Sequence, residues 1–187
     1  MDIPVRVATL AEFEQLIHLP ENANKRFEFI AGEIIEVPSS PYSSEIAVTI
    51  GFYLNSHLRE NSLDGHVTGE GGGYQVLNER YIPSAAYISS ARQPQVAREG
   101  YNPNPPELVV EVLSPSDQEK PHLIRVKITN YLAVGTTVWV VDPETQHVEV
   151  HAPGQATKVL DRTGTLDGST ILSGFSLAVT DIFPNGE

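Results

Sequence analysis

Hydrophobic spacing along the chain switches repeatedly between a helical period and a strand period. Thr9-Leu10-Ala11-Glu12 has the form of a capping box and predicts a short helix carrying Phe13, Leu16 and Ile17. Phe27-Glu28-Phe29-Ile30 and Ile34-Ile35-Glu36-Val37 flank Ala31-Gly32-Glu33 and predict a hairpin with Gly in its turn, closed by Pro38-Ser39-Ser40-Pro41. Ile46, Ile50, Tyr53, Leu54, His57 and Leu58 then fall on one face of a helix. From His66 to Ser89 the pattern is that of strands, broken by Gly69-Glu70-Gly71-Gly72-Gly73. No Lys-Ser, Lys-Thr or helix follows those glycines, so a bulge or tight turn explains them better than a phosphate loop.

Tyr101-Asn102-Pro103-Asn104-Pro105-Pro106 reads as a loop by composition. Glu107-Leu108-Val109-Val110-Glu111-Val112-Leu113 is a run of buried-strand type. Ser114-Pro115-Ser116-Asp117 ends it and caps a helix expected to run to about Val134, with Leu123, Ile124, Ile128, Tyr131 and Leu132 inward and a stop at Gly135. Thr137-Val138-Trp139-Val140-Val141 is a second buried strand, and His147 to His151 an alternating one. Lys158 to Phe183 reads as short strands and turns. This order indicates an α/β or α+β architecture on one mixed sheet, and the length suits one domain over residues 1–187.

Composition narrows the function classes. A hydrophobic content of 40% is too high for a disordered acidic chain. No apolar run approaches the roughly 20 residues of a membrane span. Met1 to Arg6 has neither the basic nor the apolar region of a signal peptide, so the cytoplasm is the expected compartment. Zero Cys excludes disulfides, thiolate metal sites and cysteine nucleophiles. The net charge is −12, split as −8 over residues 1–79, +1 over 80–127 and −5 over 128–187. Nucleic-acid binders that grip phosphate nonspecifically carry a basic stripe, and this chain has none. A polyanion would have to meet a small site, charged by the middle segment or by a metal ion.

Two residues break the pattern. Glu111 interrupts a strand that is apolar on both faces, where a carboxylate needs a partner, a proton or a metal; a core salt bridge or an edge position would also account for it. Lys127 stands four residues after Leu123 and four before Tyr131, inside the stripe that faces the sheet. It either snorkels to the rim or answers an acid, and Glu111 is the nearest in sequence. The histidines are weaker candidates: His147 and His151 share a strand face but lie about 13 Å apart, and His18, His57, His66 and His122 have no ligand spacing. No Gly-x-Ser-x-Gly elbow supports a hydrolase triad.

The run from Pro105 to Asp117, with Lys127, Tyr131, Gly135 and Trp139-Val140-Val141-Asp142-Pro143, resembles the Uma-type restriction-endonuclease-like family. That family is abundant in cyanobacteria and belongs to the PD-(D/E)XK nuclease superfamily. The hairpin from Phe27 to Ile34 and Arg80-Tyr81-Ile82-Pro83 add to the likeness, which covers residues 10 to 151. It implies a restriction-endonuclease-like α/β core, a mixed central sheet flanked by helices, with additional N- and C-terminal strands. It also implies cleavage of DNA phosphodiesters with Mg²⁺ or Mn²⁺, and a homodimer as the assembly.

Carried onto this chain, Glu111 matches the second metal-binding acid and Lys127 a lysine that has migrated to the helix, while Leu113 fills the usual lysine position. The first acid departs from the pattern, because Pro83 is followed by Ser84. Glu111 and Ser84 are then the metal ligands and Glu111, Lys127 and Ser84 the catalytic set, with Glu33, Glu45 and Glu70 as further acids. A serine offers the metal one neutral oxygen and no anionic charge. Two rival readings therefore stand beside the nuclease: a nuclease-fold binding or assembly protein without catalysis, and a hydrolase of small phosphate esters.

Overall fold

The computed structural model describes residues 7–37 and 40–183. Expectations for Met1 to Arg6, Pro38 and Ser39 fall outside that range. Helix α1 (Leu10–Ile17) opens with the predicted reciprocal cap: the Glu12 backbone N–H donates to Thr9 Oγ1, and the Thr9 N–H to Glu12 Oε2. Strands β1 (Phe27–Ile30) and β2 (Glu33–Glu36) form the predicted hairpin, with Ala31 at φ +50° and Gly32 at φ +82°. Two positive φ values in a two-residue turn match the twist of the strands they join. Helix α2 (Pro41–Glu60) starts at the Ser40 cap with Pro41 in its first turn, and buries Ile46, Ala47, Ile50, Leu54 and Leu58.

Strands β3 (Gly65–Gly69), β4 (Gly73–Val76), β5 (Glu79–Tyr81) and β6 (Ala85–Ser89) follow. Next come β7 (Tyr101–Asn102) and β8 (Leu108–Val112), then helices α3 (Pro115–Glu119) and α4 (Pro121–Ala133). Strands β9 (Thr137–Asp142), β10 (His147–His151), β11 (Lys158–Leu160), β12 (Thr165–Asp167) and β13 (Ser176–Ala178) complete the order.

Three corrections to the sequence reading arise here. The strands form a five-stranded sheet, β2-β1-β5-β4-β7, a six-stranded sheet, β11-β10-β9-β8-β6-β3, and the pair β12-β13, in place of one mixed sheet. The chain leaves the larger sheet at the glycine turn after β3, where the Gly72 N–H donates to the Gly69 carbonyl, and returns to it through Ile82-Pro83-Ser84. Proline has no N–H for a ladder, so β5 ends at Tyr81 and pairing resumes in β6 at Ala85. The helix expected from Ser114 to Val134 is two helices, broken at Lys120, because Pro121 restricts the residue before it and opens a new first turn. The expected loop at Tyr101 contains the short strand β7, parallel to β4.

Both larger sheets are mixed: β8 pairs parallel with β9 and antiparallel with β6. One face of the six-stranded sheet carries α2 and the C-terminal hairpin, in a core that includes Ile50, Leu108, Val110, Trp139 and Phe175. The other face carries α4 and the five-stranded sheet, in a core with Ile30, Tyr74, Tyr81, Val109, Leu123, Tyr131 and Val140. Gly135, at φ +83°, ends α4, and its N–H and that of Thr136 donate to the Leu132 and Tyr131 carbonyls. Among the described residues no helix is long and apolar enough to cross a membrane.

Candidate functional site: a buried ion triad at the end of a parallel strand

Side chains alternate across β8. Leu108, Val110 and Val112 enter the α2 core, whereas Val109 and Glu111 face α4 and the second sheet. Glu111 is 7% exposed, so the dry environment expected from the strand is real. On α4 the buried stripe is Leu123, Lys127 and Tyr131, at intervals of four. Lys127 is 6% exposed, and it does not snorkel.

Its ammonium is held between two acids. Lys127 Nζ donates to Glu111 at 2.8 Å and to Glu28 Oε1 at 2.9 Å. Glu28 comes from β1, where Phe27 and Phe29 turn toward α1 while Ile30 faces the inter-sheet core. Its Oε1 also accepts the backbone N–H of Ile82 at 2.6 Å. The Tyr131 hydroxyl donates to Glu111 Oε1 at 3.3 Å, and Lys127 Nζ lies 5.6 Å from the centre of the Tyr81 ring. Asn130 Nδ2 donates to the Tyr81 hydroxyl at 2.7 Å, which fixes that ring.

Two carboxylates on one ammonium leave a formal charge of −1 in a dry site. Burial pushes Glu111 up to about 7, although Lys127 pulls the other way. For Lys127 burial favours the neutral amine, but Glu111 and Glu28 together outweigh it and hold the ammonium above the ordinary lysine value. The proton therefore stays on Lys127, and the strain of the excess negative charge falls on the carboxylate. Burial, and then Glu111, raise Tyr131 well above an ordinary tyrosine and keep its hydroxyl a donor.

The triad floors a cleft of about 70 Å³, far below the roughly 300 Å³ where small-molecule pockets begin. Water or an ion fits inside; a base or a sugar does not. The ionisable side chains around it are Glu28, Glu70, Glu111 and Asp117 against Arg26 and Lys127, an excess of acid. Asp117 is turned to the α3 cap, where Oδ2 accepts from the Ser114 N–H at 2.7 Å and from its hydroxyl at 2.6 Å.

Ser84 immediately precedes β6, the antiparallel neighbour of β8, and lines the same cleft. Its Oγ accepts the Val112 N–H at 3.0 Å. The structure thus brings Glu111, Lys127 and Ser84 together. Of the further acids, Glu70 lines the cleft, Glu45 is exposed on α2, and Glu33 pairs with Lys120 at 2.8 Å and His122 at 3.1 Å. Glu28 is the residue that sequence reasoning missed. Alternation along Phe27-Glu28-Phe29-Ile30 puts Glu28 on the face of Ile30, and that one apolar neighbour was the available sign that the face is buried. The histidines stand apart from the cleft: His57 meets the Ser173 carbonyl, His66 that of Pro94, and His151 the Glu149 carboxylate.

The fit to a divalent cation follows from the donors. All the acceptors are oxygen, the site holds excess negative charge, and a cationic centre, the Lys127 ammonium, already occupies the space between the carboxylates. No group of three or more His, Asp or Glu among the described residues forms a ready-made cage. Oxygen donors with excess negative charge are what a hard cation that keeps most of its waters, as Mg²⁺ does, requires.

A mixed sheet flanked by helices, with a small acidic cleft holding Glu111 and Lys127 at the end of a parallel strand, defines a nuclease-like α/β architecture. A crystal structure titled a "putative nuclease belonging to DUF820", from Anabaena variabilis ATCC 29413, superposes with a TM-score of 0.79 at 25% identity, covering 94% of this chain and 97% of that one. The model of the Uma2 family, described as "Putative restriction endonuclease", matches residues 10–180, and the chain belongs to that family. A search of curated proteins finds no match.

Proposed function

We propose that the protein is a divalent-metal-dependent DNA endonuclease whose catalytic groups are Glu111, Lys127 and Glu28, with Ser84 as a neutral ligand. The observation that carries this reading is the buried Glu28–Lys127–Glu111 triad opening on an ion-sized cleft. A structural salt bridge has no need of an unbalanced second carboxylate, which costs stability unless a cation answers it. Family membership and the "putative nuclease" relative support nuclease chemistry.

Glu28, Glu111 and Ser84 would hold Mg²⁺ or Mn²⁺. Bound there, the ion would supply Lewis-acid polarisation of the phosphate and a more acidic water. The chain's own groups do the rest. Lys127 places a fixed positive charge where the phosphate gains negative charge, and its preorganised position costs no reorganisation at the moment of reaction. Tyr131 donates to Glu111 and fixes the plane of its carboxylate, while the Ile82 N–H fixes Glu28. The cleft is too small to swallow a nucleotide, so a backbone phosphate would reach it from the mouth, past Arg26. Because acids outnumber bases there, a phosphodiester would be repelled until a cation is bound.

Cleavage of supercoiled plasmid tests this. Nicking should need Mg²⁺ or Mn²⁺, stop in chelator, and fall by about 10²-fold or more in Glu111→Gln and Lys127→Met. Cutting that persists in chelator, or survives Glu111→Gln, rejects the site. One observation favours a second reading, a DNA-binding or assembly protein that does not cut: Ser84 spends its oxygen on the Val112 N–H. DNA binding that survives with no cleavage in either metal would select it.

A further inference from the structure

The outward stripe of α2 carries two large apolar side chains one helical turn apart. Val48 is 68% and Phe52 63% exposed, and the Phe52 ring is braced edge-on by Tyr53 at 5.5 Å. Glu45, Val48, Phe52, Asn55 and Arg59 lie within one narrow arc of the helix, at alternating steps of three and four residues. That spacing is the seam of a two-helix packing. Beside Phe52 is an open hollow of about 340 Å³ whose helical wall includes Val48, Gly51, Phe52 and Asn55. Residues i, i+3, i+4 and i+7 are the four that make the hole for a knob from a facing helix. A Cβ added at Gly51 would meet nothing within 4 Å, so the floor of that hole is open to a side chain from outside.

The charges choose the occupant. Glu45 and Arg59 each stand seven residues from Phe52, on opposite sides, about 10 Å along the axis. In an antiparallel pair of α2 helices with its two-fold axis at Phe52, Glu45 of each copy meets Arg59 of the other. Neither residue has an ion-pair partner within its own chain among the described residues. A knob, its matching hole and two mutually complementary charges on one helix describe a surface that recognises itself.

We propose that a second copy of this chain docks on α2, forming an isologous dimer. Phe52 of each copy fills the Val48–Gly51–Phe52–Asn55 hole of the other, and two Glu45–Arg59 pairs flank the axis. Glu70 and Ser84 line both this hollow and the candidate catalytic cleft, so the partner would stand at the mouth of each cleft. The inference goes beyond the nuclease reading and does not depend on it, since association is read from mass and cleavage from plasmid.

Sedimentation velocity of the full chain in physiological salt, over roughly 1 to 100 µM, tests it. The wild type should be a dimer at the upper end and Phe52→Lys a monomer throughout. Glu45→Arg alone, and Arg59→Glu alone, should each weaken association about tenfold or more, because each sets like charges face to face. Combining Glu45→Arg with Arg59→Glu should restore it to within about threefold of wild type. These positions are exposed, and unchanged melting confirms that the variants are folded. A wild-type monomer at 100 µM, a dimer that Phe52→Lys leaves intact, or a double swap that fails to recover would each overturn the proposal. So would loss of duplex DNA binding in Phe52→Lys without a change of mass, which would assign the face to nucleic acid.

Discussion

Lys127→Met is the sharpest probe of the triad. It keeps an unbranched apolar stem, one heavy atom shorter, and removes the charge that Glu28 and Glu111 share. At 2.8 and 2.9 Å, each contact is worth about 6 kcal/mol of gross attraction at an effective dielectric constant near 20. Much of that is offset in the wild type by desolvation of three ions, so the net loss should be about 3–5 kcal/mol. For a chain of this length that is a fall in melting temperature of roughly 6 to 20 °C.

The loss should also depend on pH, in one direction. Without Lys127 the two buried carboxylates have no counter-charge, and the burial that already raises Glu111 acts on it unopposed. The deficit should be largest near pH 8 and shrink as pH falls toward 5. Urea unfolding in chelator at both pH values measures it. Adding Glu111→Gln to Lys127→Met removes one of the stranded charges, and the double variant should be more stable than Lys127→Met at pH 8. A loss below about 1 kcal/mol, equal at both pH values, would mean that the ammonium reaches water and that the triad is no buried unit.

Three further outcomes are expected. Glu111 titrates near 7 in the folded chain against an ordinary 4.5, so the unfolded state binds fewer protons between those values; metal-free stability should decline as pH rises through that window, by about 3 kcal/mol at most, and an equal slope in Glu111→Gln contradicts it. Ser84→Asp adds an anion beside Glu111, so the variant should be less stable in chelator and gain more melting temperature from Mg²⁺ than the wild type; identical melting with and without Mg²⁺ means that the hydroxyl does not face the ion. Gly73→Ala should cost about 1–3 kcal/mol, because a Cβ there runs into the Tyr101 ring, and a neutral melt would show that the ring can step aside.

Local patterns decided much of this protein. The Thr9 cap, the turn at Ala31-Gly32, the inward face of α2 and the stop at Gly135 each depend on a few neighbouring residues, and all could be read directly from the chain. Glu111 and Lys127 were legible for a related reason: a charge at an apolar position of a strict period is conspicuous. The family likeness rested on the same block. What the chain alone did not disclose is what lies opposite. Glu28 sits 83 residues before Glu111 in sequence, and an alternating strand says which residues share a face but not whether that face is covered. Only the packing of α4 across the gap between the sheets turned Glu28 inward, onto the same ammonium. The division into two sheets was hidden for a similar reason: strand period is local, while pairing is a choice among distant partners, made here by the glycine turn after β3 and the break at Pro83.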